Sequence, residues 1–506
     1  MSPLKRNIIA NLIGNGWSAL LSIATIPFYI HFMGIESYGL IGFSITLLAF
    51  FTILDVGIAQ TISREMARLT ALSEKAQEMR NLVRTLEILN WIIAISIGIL
   101  MCCLAKSIAL YWIQPDKLDH QTVYYAVILM GLSMMFQWPS SFYSGALIGL
   151  QKQVLLNVIL AGMTTLRCVG AILILWTVSP TIKAFFIWQI VIYAFQTMIM
   201  AFALWSNLPK TGKGATFQVF LLSNVWRFAA GMGGITIISM IISQADKFIL
   251  SKLLTLEAFG YYSLAAVVAT SFSRLMGPLV TALYPRLTQL IAMKDTKTLK
   301  QTYHGGCQLM SVLIIPVAFF LAFFAQEIIL LWTQDPATAE KTHLLVTFLA
   351  ISTMFNGLSH IPLSLQYAHG RTRLIFYISM GMMIIMIPGI FLMTHHFGAV
   401  GATVIMMVIN LLFMVTITQL IHRHLFPEEN RRWYISDVGL PLIVALIAVG
   451  IGRILIHGSI PIVPLVLELA AVAFVTLSVT ALAAPIIRDW LLNRIIYLPQ
   501  KIFYGN

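Results

Sequence analysis

The sequence is poor in charged residues and has none of the common catalytic motifs. Only 10% of its 506 residues are charged, against about 25% in an ordinary soluble domain, which excludes a soluble globular protein. It contains no Walker A loop, zinc signature, nucleophile elbow or extended dinucleotide fingerprint. We therefore expect no ATP hydrolysis, no metal, no cofactor and no enzymatic activity in this chain.

Cysteine is also scarce. The four cysteines all lie in apolar runs, where a thiol behaves as a small hydrophobic group. They indicate neither a disulfide framework nor a metal site. The four are Cys102, Cys103, Cys168 and Cys307.

Long apolar runs are abundant, since 59% of the residues are hydrophobic. A run of about 20 apolar residues is long enough to cross a bilayer, and the chain divides into fourteen such runs, the first too long for a signal-peptide core. We predict an all-α polytopic membrane protein of about fourteen transmembrane helices. The predicted spans are 8–31, 39–62, 85–108, 122–148, 154–176, 183–205, 222–245, 260–284, 303–331, 343–367, 374–394, 399–421, 438–457 and 461–484.

The formal charge of +13 would suggest nucleic-acid binding in a soluble protein. Here its distribution indicates topology instead, because cytoplasmic loops of membrane proteins retain Lys and Arg. With the predicted spans, 22 of the 32 basic residues fall on the side of the N-terminus, seven on the opposite side and three within spans. We predict that both termini are cytoplasmic and that the chain binds no nucleic acid.

The two six-helix blocks resemble each other when they are shifted by about 221 residues. The shift places Glu36 on Glu257 and Gly39 on Gly260. Because six is even, the repeat is parallel, and two such lobes imply a central cleft. We predict two pseudo-symmetric six-helix lobes, residues 1–213 and 214–424. Residues 425–506 would add two transmembrane helices and a cytoplasmic tail.

Four segments carry a resemblance to a known family. They are residues 27–40 (PFYIHFMGIESYGL), 54–64 (LDVGIAQTISR), 245–252 (ADKFILSK) and 260–265 (GYYSLA). Over about residues 5–420 the chain resembles the polysaccharide transporter family, the Wzx-type O-antigen and exopolysaccharide flippases. That family lies within the superfamily of multidrug and toxic compound extruders and the lipid II flippase.

The resemblance implies a fold, a cargo and a location. The fold would be MATE-like: a V-shaped twelve-helix core of two bundles that alternates between inward-facing and outward-facing states. The cargo would be an undecaprenyl-pyrophosphate-linked oligosaccharide, moved from the cytoplasmic to the periplasmic leaflet of a bacterial inner membrane. Besides the lipid bilayer, polysaccharide polymerase and ligase proteins would be candidate partners in lipopolysaccharide biosynthesis.

Three arginines lie within or at the edge of predicted spans: Arg167, Arg227 and Arg274. A lipid-linked pyrophosphate needs fixed cations to cross hydrocarbon, and arginine can hold phosphate oxygens bidentately. We therefore expect these arginines to line a cationic cavity. The alternatives are a structural ion pair or snorkelling for Arg274, carbonyl hydrogen bonds for Arg167, and an interfacial position for Arg227.

Five further residues are candidate site residues. A buried carboxylate can bind and release a proton, so Asp55 and Asp246 are candidates for coupling or gating. Helix-end hydrogen bonding for Asp55 and a local pair with Lys247 for Asp246 are the alternatives. Asn11, Asn15 and Trp17 could bind glycan, although interhelical hydrogen bonds and an interfacial belt explain them equally well.

Two rival functions remain open from the sequence. A drug or cation antiporter of the same fold would rely on acidic residues in the cleft, whereas the charges within these spans lean basic. A membrane glycan polymerase or ligase would need a sizeable periplasmic loop. The longest predicted periplasmic connection has only about a dozen residues, 109–121. We therefore favour the flippase.

Overall fold

The protein is described from a computed structural model. The structure describes residues 3–55, 57–70, 75–220, 241, 243–370, 372–456 and 462–493. Within these ranges the chain is helical, and the one extended pairing is an isolated bridge between Gln114 and Thr255. The chain forms two compact units, Met1–Gly260 and Tyr261–Asn506. The all-helical fold agrees with the prediction from the apolar runs.

The first unit contains nine described helices and the start of a tenth. In order they are α1 Pro3–Ala24, α2 Ile26–Phe51, α3 Ile58–Thr70, α4 Ala76–Ser107, α5 His120–Gln137, α6 Pro139–Gly149, α7 Gln153–Thr177, α8 Ile182–Asn207, α9 over residues 243–253 and α10 Leu256–Thr270.

The second unit continues from α10 through a 3₁₀ turn, Ser271–Leu275. Its helices are α11 Met276–Ala292, α12 Thr296–Phe323, α13 Ala325–Thr333, α14 Pro336–Leu358, α15 His360–Ala368, α16 Thr372–Leu425, α17 Asn430–Arg432, α18 Leu440–Leu455 and α19 Ile462–Ala483.

Glycines with positive φ interrupt two of the long helices. α2 contains Gly34 at φ 80°, and α16 contains Gly398 at φ 58°. Only glycine adopts this region without strain from a Cβ atom, so each position marks a change of helix direction. Both lie at predicted span boundaries, after residue 31 and between residues 394 and 399.

Ten helical segments of the described residues are long and apolar enough to cross a membrane. The segment Arg373–Leu425 has 53 residues and would extend about 80 Å if straight. That is more than twice the roughly 30 Å of a hydrocarbon core, so we infer that it crosses twice, turning at Gly398. The chain is thus a multi-pass membrane protein, and the total of fourteen spans stays a prediction.

Several predicted spans are divided in the structure, and two of them show how. The predicted span 39–62 is interrupted by a 3₁₀ turn, Thr52–Asp55, and by Gly57, whose φ is 77°. The predicted span 303–331 breaks at Phe324, which has the non-helical angles φ −115° and ψ 22°. Neither break coincides with a polar run, which is why the apolar pattern did not indicate it.

Close helix packing in the first unit depends on glycines of α6. A Cβ atom on Gly145 would lie 2.3 Å from the Ala59 carbonyl oxygen, and one on Gly149 would lie 2.4 Å from that of Ser63. Two small residues four positions apart let helix backbones approach each other, as in transmembrane helix pairs generally. α3 and α6 therefore pack with backbone contact, beside the buried side chain of Met66.

Glu36 fixes the connection between α4 and α5. Its side-chain carboxylate accepts hydrogen bonds from the backbone N–H groups of Asp116, Lys117 and Leu118, with shortest N···O distances of 2.7, 3.0 and 3.2 Å. Lys117 in turn pairs with Glu257, with Nζ 3.4 Å from Oε2. Both glutamates that the repeat aligns therefore contact the same loop.

A buried polar network joins α12 to the C-terminal helices within the second unit. The His304 imidazole, which has no exposed surface, hydrogen-bonds through Nδ1 to the buried Asp437 carboxylate. Gln308 donates to the other Asp437 oxygen at 2.9 Å, and His304 Nε2 lies 3.2 Å from Glu429 Oε2. Asp437 thus has a partner on both oxygens, as a buried carboxylate requires.

Candidate functional site

Asn11 forms hydrogen bonds between α1 and α7. Its Nδ2 donates to Gln153 Oε1 at 2.8 Å, and its Oδ1 accepts from Asn157 Nδ2 at 2.5 Å. A Cβ atom on Gly14 would lie 2.5 Å from Asn157 Oδ1, so the glycine leaves the space that this amide occupies. The structure thus places Asn11 in the interhelical arrangement that the sequence left as an alternative to glycan binding.

Asn15 and Trp17 lie on an exposed part of α1. Trp17 is 47% exposed and donates from Nε1 to Thr165 Oγ1 of α7 at 2.9 Å. Asn15 is exposed and has no hydrogen-bond partner among the described residues. The hydrogen bond to Thr165 fixes the indole while its ring stays accessible, so both side chains could contact a bound sugar.

Arg167 is half-buried on α7 and contacts aromatic residues of α8. Its Nη1 donates to the Tyr193 hydroxyl at 3.0 Å, while Trp188 Nε1 donates to the Arg167 carbonyl oxygen at 3.3 Å. Among the described residues no carboxylate lies within 4.0 Å of the guanidinium. The hydrogen bond orients Arg167 without neutralising it, so the guanidinium keeps a net positive charge at this level of the helix.

Arg274 lies in the 3₁₀ turn between α10 and α11, where the sequence predicts a continuous helix. Its side chain is exposed and, within the part of the chain that the structure describes, has no hydrogen bond or ion pair. The turn belongs to the candidate span Leu256–Ala292. All five guanidinium N–H donors are therefore available to a ligand.

Asp55 ends the 3₁₀ turn after α2 and lies outside the candidate spans. Its Oδ1 is buried and has no hydrogen-bond partner among the described residues. Burial raises the pKa of this carboxyl to about 6, although a hydrogen bond from the Ala59 backbone acts in the opposite direction. Asp55 can therefore gain or lose a proton near neutral pH.

Asp246 is paired locally. It is 4% exposed, and Lys247 Nζ lies 3.4 Å from its Oδ2. This is the arrangement that the sequence analysis gave as the alternative to gating. Arg227 lies outside the described residues.

Two polar clusters were missed by the sequence analysis. The buried Glu87 carboxylate accepts from the Tyr143 hydroxyl at 2.7 Å and from Trp205 Nε1 at 3.1 Å, and it pairs with Arg84 at 3.0 Å. In the second unit, Asn356 of α14 donates to Asn410 of α16 at 3.2 Å. A single polar residue within an apolar run was the available signal in each case.

Neither unit presents a metal site among its described residues, where no three His, Cys, Asp or Glu side chains are grouped around a common point. The candidate residues are instead cations, amides and an indole on membrane helices. Such groups can hold an anionic headgroup and hydroxyl-rich sugars without any covalent chemistry.

Two family models match the chain. The model described as polysaccharide biosynthesis protein matches residues 4–291, and the MatE model matches residues 232–392. The first match covers more than half of the chain and includes α1 to α10 with the candidates Arg167 and Arg274.

Similarity to individual proteins extends over most of the chain. A putative O-antigen transporter of Shigella flexneri is 21% identical over 405 residues, which are 80% of this chain and 94% of that protein. The structure of the lipid II flippase MurJ in an inward closed conformation has a TM-score of 0.68 at 13% identity, covering 96% of this chain and 100% of MurJ. An inward-facing MATE family transporter of the MOP superfamily has a TM-score of 0.64 at 13% identity, with 80% and 94% coverage. The fold is therefore MATE-like.

Proposed function

The chain belongs to the polysaccharide biosynthesis protein family as a Wzx-type transporter, and on this premise we propose that it flips an undecaprenyl-pyrophosphate-linked oligosaccharide. The cargo would be an O-antigen or exopolysaccharide repeat unit. It would move from the cytoplasmic to the periplasmic leaflet of a bacterial inner membrane by alternating access through a cation-lined cavity. The name of the Shigella flexneri relative, a putative O-antigen transporter, supports this cargo class.

The observation that carries the proposal is the exposed, unpaired guanidinium of Arg274 within an apolar span. An arginine facing hydrocarbon at the centre of a helix costs about 2.5–3.5 kcal/mol even on the most lenient scale. We therefore infer that Arg274 faces water and the cargo pyrophosphate. Arg167 would be a second cation, and Asn15 and Trp17 would contact the glycan.

We assign the coupling role to Asp55. A carboxyl whose pKa lies near neutrality can be protonated on one side of a membrane and ionised on the other. Asp246 is a weaker candidate because Lys247 already compensates its charge. The proposed substrate-binding residues also include Arg227 and Asn11. Arg227 would lie at the cytoplasmic entrance, and Asn11 would position Asn15 and Trp17 through its hydrogen bonds to α7.

The domain layout and orientation are part of the proposal. We propose lobes at residues 1–213 and 214–424, two additional helices in residues 425–506, and both termini in the cytoplasm. The excess of basic residues in loops on the N-terminal side supports this orientation. A reporter that is active only in the periplasm, fused after residue 213 or 424, should be inactive; activity at either position would overturn the orientation.

The decisive experiment reconstitutes the full chain in proteoliposomes. A fluorescent undecaprenyl-pyrophosphate oligosaccharide is placed in both leaflets, and a membrane-impermeant quencher reports the fraction that each leaflet holds. We expect leaflet exchange well above that of protein-free liposomes. Absence of exchange in protein that is folded and inserted would overturn the proposed cargo.

A drug or cation antiporter is the second candidate, and the buried, unbonded Oδ1 of the half-buried Asp55 favours it. The same liposomes, loaded with a DNA-binding cationic dye and energised with a proton gradient, test this function directly. Dye transport without lipid exchange would establish the antiporter.

A further inference from the structure

Asn356 of α14 is held in place by a relay of hydrogen bonds. Its Nδ2 donates to Asn410 Oδ1 at 3.2 Å, and Asn410 Nδ2 donates to Ser352 Oγ at 2.9 Å and to the Met406 carbonyl oxygen at 3.0 Å. Asn410 is half-buried and Ser352 is buried, whereas Asn356 is exposed. Among the described residues, the Asn356 Oδ1 and one of its N–H groups make no hydrogen bond.

Arg274 lies near the level of this relay. The two segments meet where a Cβ atom on Gly357 would lie 2.6 Å from Met276 Cε, so the methionine occupies the space that the glycine leaves. Arg274 precedes Met276 by two residues and Asn356 precedes Gly357 by one. At about 1.5 Å per α-helical residue and about 2.0 Å per residue of the 3₁₀ turn, each side chain originates within about 4 Å of the level of that contact.

Both residues are exposed on segments that are long and apolar enough to cross the membrane, Leu256–Ala292 and Pro336–Ala368. An amide or a guanidinium with open hydrogen-bond donors is costly in hydrocarbon. Exposure at these positions therefore indicates that both side chains face water or a polar ligand. The two groups differ in chemistry, because the guanidinium only donates whereas an amide both donates and accepts.

We propose that Arg274 and Asn356, positioned by Asn410, form a subsite for the junction between the pyrophosphate and the first sugar of the cargo. Arg274 binds phosphate oxygens, to which its fork of donors is matched. Asn356 binds a hydroxyl or acetamido group of the sugar, which likewise both donates and accepts. This inference rests on the proposed function, and it specifies which residues of the second unit recognise the first sugar of the cargo.

The test separates the contribution of the sugar from that of the pyrophosphate. Full-length protein in nanodiscs is titrated with two probes, undecaprenyl pyrophosphate and undecaprenyl-pyrophosphate N-acetylhexosamine. We expect Asn356→Ala to weaken binding of the sugar-bearing lipid roughly three- to tenfold, the value of one or two hydrogen bonds. Its affinity for undecaprenyl pyrophosphate should change less than about twofold. Arg274→Gln should weaken binding of both probes about tenfold or more.

Matched variants report on the relay and on folding. Asn410→Ala should reproduce part of the Asn356→Ala loss, and the double variant should lose less than the sum because the two amides are coupled. Asn493→Ala changes an exposed asparagine beyond α19 and should leave both affinities unchanged. Asn356→Leu keeps the approximate size of the side chain but removes all of its hydrogen-bonding groups, so it should weaken binding of the sugar-bearing lipid even if the alanine variant folds poorly.

The outcomes distinguish this inference from the function on which it rests. If the parent binds neither probe, the proposed function fails. If the parent binds both probes and Asn356→Ala keeps the full preference for the sugar-bearing lipid, the subsite alone is overturned. An equal loss for both probes would assign Asn356 to general packing and would also overturn it.

Discussion

Gly39 and Gly260 each pack against the backbone of the helix that carries the other. A Cβ atom on Gly39 would lie 2.5 Å from the Leu256 carbonyl oxygen, and one on Gly260 would lie 2.3 Å from that of Ile35. The shift of about 221 residues that aligns the two glycines also aligns Ile35 with Leu256. The contact between the two glycine-bearing segments is therefore reciprocal.

Gly260→Ala should destabilise the protein through this contact. The added methyl group has no space against the Ile35 backbone, so the helices must move apart, and overpacking of this kind costs about 1–3 kcal/mol. We expect a lower melting temperature in detergent, measured with a thiol-reactive or intrinsic fluorescence probe. Gly381→Ala is the control, because a Cβ atom there meets nothing within 4 Å; an equal shift in both variants would contradict the contact.

Arg274→Gln should reduce leaflet exchange of the lipid-linked oligosaccharide about tenfold or more. The substitution removes the positive charge, and hydrogen bonds to charged groups contribute about 1.5–3 kcal/mol each. Arg274→Lys should retain an intermediate rate, since it keeps the charge but loses the bidentate geometry. The control is Arg286→Gln, because Arg286 is an exposed arginine bonded to Gln289 at 2.8 Å. Undiminished exchange in Arg274→Gln would remove this arginine from the site.

Asp55 should make stability depend on pH. Burial raises its pKa from 3.8 to about 6, so the unfolded state ionises first as the pH rises. The free energy of unfolding therefore falls by up to about 3 kcal/mol as the pH rises from 4 to 6. The Asp55→Asn variant carries no charge at this position. The melting temperature of the parent should therefore fall, relative to that of the variant, as the pH rises across this interval. A constant difference between the two proteins from pH 4 to pH 8 would contradict this assignment.

Disrupting the pair of His304 and Asp437 should loosen the C-terminal helices. Removing one member of a buried pair leaves the other uncompensated and typically costs about 3–5 kcal/mol. We expect Asp437→Asn or His304→Gln to lower the melting temperature and to speed proteolysis after α16, and the double variant to recover part of the loss. Arg488→Gln removes an exposed pair with Asp489 and should change stability by less than about 1 kcal/mol.

The sequence predicted the elements better than it predicted their partners. Apolar runs located most helices, and the turns at Gly34 and Gly398 lie at predicted boundaries because glycine punctuation is local. The partner of Asn11 could not be predicted, since Asn157 is 146 residues away and both amides lie in unremarkable helical runs. Hydropathy likewise gives little sign of the break at Phe324, because Gln326 and Glu327 are the only polar residues that follow it in an otherwise apolar run.

The residues of the candidate site could likewise be predicted from the sequence, whereas their contacts could not. The occurrence of Arg167 and Arg274 within apolar runs was readable from the sequence, because a charge in such a run is conspicuous. Their surroundings were not: Arg167 is oriented by Tyr193, 26 residues away, whereas Arg274 is exposed in a 3₁₀ turn. Asn356 and Asn410 are 54 residues apart, so their hydrogen bond could be recognised only from the packing of α14 against α16.

The buried pair of His304 and Asp437 also sets an order of biogenesis. The two residues are 133 positions apart, so at about 5–20 residues per second a ribosome needs roughly 7–27 seconds to supply the second after the first. During that interval the imidazole has no carboxylate, and the second unit cannot reach its final packing. The final packing of α12 therefore waits until the segment that leads into α18 has been synthesised.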